Sequence, residues 1–304
     1  MSLIKNNHDK KFQFFLIIGM IVVMLITVYP VWYSVINSFN SAESIGRNGY
    51  ALVLPKQFSL DSWSIVLNDP EIIRAFLITL TRTVLVTVFQ SIITSMFAYG
   101  FSRRNLRGRR VYFGLGLISM YLNGGVIAYF ILFNAIGLYN SFWVYVIPAL
   151  FGGFYNVIIY NANFKAIPES LFESAKMDGA NEYTIFSRIV FPLSKPVISA
   201  LGIFTAVAMW NDYTSTLYYT RSTELQTLSY YTLSLTKSSE VAANLSEMGN
   251  SAAVSAAGVI SQSAADFKTI ELASMVLSAL PLILMYPFAQ KFFEKGVMVG
   301  SVKG

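Results

Sequence analysis

The sequence predicts an all-α integral membrane protein with six transmembrane helices and both termini on the cytoplasmic side. Three observations lead there. Of 304 residues, 55% are apolar and only 12% charged, about half the charge of an ordinary soluble domain. Several near-uncharged runs match the roughly 20 helical residues that cross a hydrocarbon core. Basic residues also collect in alternate connecting segments, as the positive-inside rule requires of a cytoplasmic side. A soluble core has no use for so many uncharged 20-residue runs. With no cysteine, the chain has no disulfides or thiolate metal sites. Its one histidine, His8, lies in the N-terminal tail, which argues against a His-based metal or acid–base centre.

Residues 1–11 read as a cytoplasmic tail, 12–289 as the membrane domain and 290–304 as a second cytoplasmic tail. Phe12 to Ile36 carries no charge, follows Lys5, Lys10 and Lys11, and lacks a small-residue cleavage signal behind it. It reads as an anchor rather than a removed signal peptide. The next spans are expected at about Thr79–Phe101, Val111–Phe133 and Phe142–Phe164. The fifth runs from Pro196 to Trp210 or slightly beyond, and the last from Thr269 to Ala289. With the termini inside, cytoplasmic segments hold 15 of the 22 basic residues, including five arginines between Arg103 and Arg110. The basic balance therefore reflects topology. No aromatic or groove-reading context suggests nucleic-acid binding.

Arg82 falls within an apolar run, but counting back from Arg103 places it at the outer interface, where its side chain is expected to snorkel. Two outer connections stand out. Asn37 to Ile73 is polar and carries Pro55 and Pro70. Residues 213–267 begin with Tyr213, Tyr218, Tyr219, Tyr230 and Tyr231 and become Ala/Ser/Asn-rich from 238 to 265. Tyrosine stacks on sugar faces, yet it also gathers at membrane interfaces, and any single one here is read as interfacial. The connection's length nevertheless suggests an outside contact.

Polar stripes run along three spans. Thr79, Thr83, Thr87, Gln90 and Thr94 recur at helical spacing on the second. Asn123 and Asn134 lie on the third. Tyr145, Ala149, Gly152, Asn156, Tyr160 and Asn163 share a face of the fourth if that helix is straight. Such stripes must face protein or water, and they serve helix packing and a solute path equally well. As a path, Gln90, Asn123, Tyr145, Asn156, Tyr160, Trp210 and Asn211 suit an uncharged, hydroxyl-rich solute. No carboxylate lies mid-span, so the usual coupling group of a proton- or sodium-driven carrier is missing.

Energy must enter elsewhere, and the segment 165–195 is the candidate. Pro168 is placed to start a helix and Gly179 to end it in the left-handed conformation. Asn181 then caps a second helix that has Glu182 in its first turn. A helix of about ten residues is marginal alone and gains from docking in another protein's cleft.

Glu173, Ala175, Gly179, Ile189 and Pro192 fit the spacing Glu-x-Ala-x3-Gly-x9-Ile-x2-Pro. This resembles the EAA loop of permease subunits in binding-protein-dependent ABC importers, whose fold is the type I permease fold. Asp178-Gly179-Ala180 and Phe186 resemble the carbohydrate-uptake branch, on the side of the second permease of maltose-type systems. The ending, Tyr286-Pro287-Phe288 followed by 295–304, is similar to oligosaccharide permeases of Gram-positive bacteria. Ser174 and Phe191 depart from the family's usual alanine and leucine while keeping approximate size.

The resemblance implies a set of partners: a second, homologous permease, two ATPase subunits that bind ATP and Mg, and an extracellular lipoprotein that delivers an oligosaccharide. It implies ATPase contact at Glu173, Ser174, Ala175, Asp178, Gly179, Ile189 and Pro192, with the tail glycines Gly296 and Gly300 reaching between the ATPases. The chain has no Gly-Lys dipeptide and hence no P-loop. It is expected to bind no cofactor and to catalyse nothing itself. A permease for peptides or amino acids is the alternative, and a non-transporting scaffold a more distant one. An intramembrane enzyme would need carboxylate pairs, a Ser/His pair or metal ligands at depth, and the sequence offers none.

Overall fold

The apolar runs fold as helices because a backbone in hydrocarbon must satisfy its own hydrogen bonds. The computed structural model describes residues 7–103, 106–122, 124–247, 267–287 and 290. Among these, pairing between extended segments is limited to one isolated bridge, Asn40 with Phe58. Helices α1 (Asn7–Ser38), α4 (Pro70–Ser102) and α15 (Phe267–Pro287) each contain a stretch long and apolar enough to cross a membrane unbroken. Bent pairs supply up to three further spans: α5 (Arg109–Tyr121) with α6 (Gly125–Ala135), α7 (Trp143–Leu150) with α8 (Phe154–Lys165), and the segment 182–193 with α12 (Lys195–Asn211). Six spans result if each pair counts as one.

The breaks have local causes. Pro148 sits within α7, where its ring and missing N–H disturb the preceding turn, and Gly152 and Gly153 follow. The fourth span therefore bends by 45°. The expected single polar stripe from Tyr145 to Asn163 is thus split between two helices. The fifth span turns by 78° at Ser194, and Pro196 opens its new first turn, where an N–H is dispensable.

Contacts divide the chain into two units. The first comprises residues up to Asp69 and 232–280. In it, α1 is exposed from Phe12 to Trp32, with Phe15 71% and Ile26 66% accessible, and buried at Ile36 to Ser38. The connection after α1 is ordered by amide brackets. Asn37 donates to the Tyr33 and Ala51 carbonyls and accepts from the Ala51 N–H, while Asn40 accepts from the Gln57 N–H. Two short helices, α2 (Ala42–Asn48) and α3 (Asp61–Asn68), lie in this connection, and Phe39 stacks on both Phe58 and Trp63. Glu271, fully buried in α15, accepts bonds from Lys268 and Thr236.

The second unit comprises 70–231 and 281–304. Helix α4 is its axis, packed by α7, α8 and α12. One apolar cluster gathers Tyr99, Phe101, Phe154, Tyr160, Phe164, Phe172, Ile185 and Phe186 near the end of α4. Another joins Val86, Phe133 and Tyr145. Gly116 is required where α5 meets α8, since a Cβ there would lie 2.2 Å from the Phe154 ring. The stretch expected as one long connection from residue 213 contains α13 (Thr214–Tyr219), a 3-10 turn at Thr223–Leu225 and α14 (Leu228–Glu247). Residues 248–266, and with them most of the Ala/Ser/Asn-rich stretch, lie outside the described residues.

Candidate functional site

The segment 165–195 is built from a short helix, α9 (Glu169–Met177), entered at Pro168. Its C-terminus is a complete Schellman motif. The Ala180 N–H donates to the Ala175 carbonyl at 2.9 Å and the Gly179 N–H to the Lys176 carbonyl at 3.0 Å. Gly179 adopts φ +79°, which only glycine takes without strain. The chain then restarts at Asn181, whose side chain accepts from the Thr184 N–H at 2.8 Å to cap α10 (Glu182–Ile185).

Helix α9 has two faces. Phe172 is buried in the cluster that includes Phe164, Ile185 and Val190, and Ala175 packs against that cluster. The other face is open: Glu173, Ser174, Met177 and Asp178 are exposed, Met177 to 87%. Glu173 makes no ion pair among the described residues. This face therefore presents a carboxylate, a hydroxyl and an apolar side chain clear of the cluster that anchors the helix.

What holds the helix is a polar clasp that composition alone does not show. The Arg103 guanidinium lies 4.3 Å over the Phe172 ring and 5.5 Å over the Tyr99 ring, and 3.7 Å from Glu182. Glu182 also pairs with Lys176 at 3.2 Å and accepts from the Tyr99 hydroxyl. Burial pushes the Glu182 carboxyl up, but the hydrogen bonds from Tyr99 and Lys176 and the nearby charge of Arg103 outweigh it. The carboxyl is held below its ordinary value. A depressed carboxylate contributes stability that is complete above the ordinary value of 4.5 and is lost as pH falls through the lowered one. Glu182→Gln is therefore expected to speed amide exchange across 172–186 at neutral pH. The parent should approach the variant only in acid below the ordinary carboxylate range. Equal exchange at neutral pH would remove the clasp from the account.

A π-helical turn, Phe186–Val190, follows α10 and leads into α11 (Phe191–Leu193). The Phe191 N–H donates to the Phe186 carbonyl. Pro192, having no N–H and a ring that crowds the carbonyl four residues back, supplies the reason for this widening. Ile189 is half-buried in the turn and Pro192 is exposed. The helix expected to follow the Asn181 cap is thus partly π. Gly296 and Gly300 lie outside the described residues.

The expected path residues are not one constellation. Tyr145 is buried, and its hydroxyl donates to the Leu225 carbonyl at 2.6 Å and bonds Thr216 and Thr220. Trp210 is buried edge-on to Phe76, and Asn211 is exposed with its amide on the Val207 carbonyl. Tyr160 lies towards the other end of the unit, stacked on Phe164, with its hydroxyl bonded to Ser91. Gln90 and Asn156 are half-buried, while Asn123 lies outside the described residues.

Arg82 corrects the snorkelling expectation. It is 1% exposed and turned into the protein, 3.3 Å from Asp212, with further bonds to the Met209 and Asp212 carbonyls. It also lies 5.0 Å over the Tyr145 ring. The carbonyls that end α12 attract a cation as the negative pole of the helix. Asp212 accepts in turn from Thr214 and Ser215. A 270 Å³ cavity opens beside this group, lined by Tyr129, Tyr145, Met209, Asp212 and Tyr219.

Comparison with known proteins places these features in context. A polygalacturonan/rhamnogalacturonan transport system permease protein of Bacillus subtilis (strain 168), YtcP, is 36% identical over 281 residues, covering 92% of this chain and 94% of the relative. Protein LplC of the same organism is 33% identical over 92% of this chain and 90% of its own length. A chain of a bacterial ABC transporter involved in the import of the acidic polysaccharide alginate superposes with a TM-score of 0.82. It is 25% identical and is matched over 96% of this chain and all of its own. Residues 90–299, which contain the Schellman-capped helix, the clasp and the π turn, match a family of transport membrane subunits. The chain belongs to the binding-protein-dependent transport system inner membrane components.

Proposed function

We propose that this permease imports an oligosaccharide, delivered by an extracellular lipoprotein, in a complex with a second homologous permease and two ABC ATPases. The observation that carries the cargo class is the 36% identity, over nearly the whole chain, to a permease named for polygalacturonan/rhamnogalacturonan transport. The exposed face of α9 supports ATPase docking, since Glu173, Ser174 and Asp178 stand clear of the protein while Phe172 anchors the helix. The charge distribution supports a topology with both termini and the 165–195 loop in the cytoplasm, and the relatives in Bacillus subtilis support the cell membrane of a Gram-positive bacterium. ATP and Mg bind the partner subunits. Transport proceeds by alternating access: nucleotide-driven closure of the ATPases moves α9, and the bent connection through Pro192 carries that movement into α12.

Uptake by the reconstituted complex of a panel of neutral and uronate-containing oligosaccharides, with dipeptides as comparison, tests the cargo. Accumulation of at least one glycan class and of no dipeptide is expected. Dipeptide uptake without glycan uptake would refute the reading.

A further inference from the structure

Helix α4 carries buried polar atoms that this conformation leaves without partners. The Thr83 and Thr87 hydroxyls and the Gln90 carbonyl oxygen are each inaccessible and unbonded. They are four and three residues apart and so share one face of the helix. Thr79, one turn earlier on the same stripe, behaves differently: it donates to the Ala75 carbonyl and accepts from the Leu228 N–H, both at 2.8 Å. A structural role for the stripe therefore ends at Thr79. An orphaned hydroxyl or amide is costly in any protein interior, and more so where no water reaches it. Three together on one helix face are polar groups that the packing seen here does not use.

Over Thr83 and Thr87 the packed neighbour is α12, and the 281–285 stretch of α15 lines the same spaces. Gly202 and Ala206 present almost no side chain to the row, and a Cβ on Gly202 would lie 3.6 Å from the Thr87 methyl. Unfilled space flanks the contact. A 460 Å³ cavity reaches Thr83, Thr87 and Ala206, and an adjoining 450 Å³ cavity reaches Thr87, Gly202 and Ala206. Thr83 borders the first while only 6% exposed. Gln90 lies against the break in the fourth span, where a Cβ on Gly152 would meet its amide at 2.2 Å. Helix α12 is also the element that follows directly from the 165–195 segment, across the π turn and the 78° bend.

We propose that α12 is a movable cover over Thr83 and Thr87, the part of the row that it packs against. When the 165–195 segment is displaced, α12 shifts along α4 and opens this part of the row to the transport path. There it takes water and then the hydroxyl groups of a neutral or uronate sugar as partners. The row rests on the transport reading for its solute, but the cover's movement can be measured without it.

The chain contains no cysteine, so single thiols report cleanly. Thr83→Cys and Thr87→Cys complexes, with partner subunits freed of accessible cysteines, are labelled in proteoliposomes with a charged methanethiosulfonate reagent. Labelling is compared without nucleotide and after trapping with ATP and vanadate. At least a tenfold difference in rate between the two conditions is expected at both positions, with Val157→Cys, buried on α8 in the other apolar cluster, unlabelled throughout. A Thr87→Cys/Gly202→Cys disulfide is expected to cut uptake below a tenth of the reduced complex, with recovery on reduction. Failure of either Thr83→Cys or Thr87→Cys to label differently between the conditions, or a disulfide-locked complex that transports normally, overturns the proposal. Labelling reads the position of α12 whatever the cargo, whereas the glycan panel on the parent complex tests the cargo alone.

Discussion

Glu173→Lys and Gly179→Pro are each expected to reduce solute uptake and solute-stimulated ATP hydrolysis to background, with the chain still inserted in the membrane. The two act at different links. Glu173 is exposed and unpaired among the described residues, so its reversal should change the chain's own stability by within about 0.5 kcal/mol. Any large effect must then come through a partner. Gly179 acts through geometry. At φ +79° its N–H closes the Schellman motif on Lys176, and proline can supply neither the angle nor the donor. Gly179→Ala keeps the donor and carries only the left-handed penalty of about 1–2 kcal/mol, so it should retain partial activity. Normal stimulated ATP hydrolysis in the Glu173→Lys complex would remove the coupling role from α9.

The second large effect lies at Arg82. Asp212→Asn preserves the acceptor oxygen used by Thr214 and Ser215 but strips the charge facing a guanidinium that is 1% exposed. Leaving a buried charge without its counter-ion costs about 3–5 kcal/mol, and the Met209 and Asp212 carbonyls that remain on Arg82 hold the loss to the lower end. Arg82→Met should cost less, because Asp212 keeps its own donors and part of its surface is open. The Arg82→Met/Asp212→Asn double variant should therefore be more stable than Asp212→Asn alone. Thermal unfolding of the purified complex measures the order, and a double variant less stable than Asp212→Asn would contradict the pairing.

Local signals carried much of the 165–195 segment. Pro168, Gly179 and Asn181 each dictate a backbone state within a turn of themselves, and the helix, its left-handed end and the following cap stand where those residues place them. Apolar length likewise pointed to helices long enough to cross a membrane, because hydrocarbon thickness is a one-dimensional constraint, but it did not show that three of the six candidates are bent pairs. What depended on distant partners was not legible. Asp212 is 130 residues from Arg82 in the chain, and without it an arginine in an apolar run reads as a snorkel. The Arg103 clasp on Phe172 and Glu182 is hidden for the same reason. The division of the α4 stripe, with Thr79 engaged and Thr83, Thr87 and Gln90 orphaned, depends on what α12 and Leu228 bring up beside it. The π turn had a local signal in Pro192, but a proline can end, kink or widen a helix, and only packing selects among these.

The central claim is that outside energy enters through the open face of α9. A single thiol at the exposed Ser174 tests it most directly, since the chain has no other cysteine. In membranes holding the whole complex, Ser174→Cys should label with a charged thiol reagent only from the cytoplasmic side and should cross-link to an ATPase subunit through a short bifunctional reagent. Labelling from the outer side, or a complex that copurifies with its ATPases yet yields no cross-link from Ser174→Cys, would contradict the account.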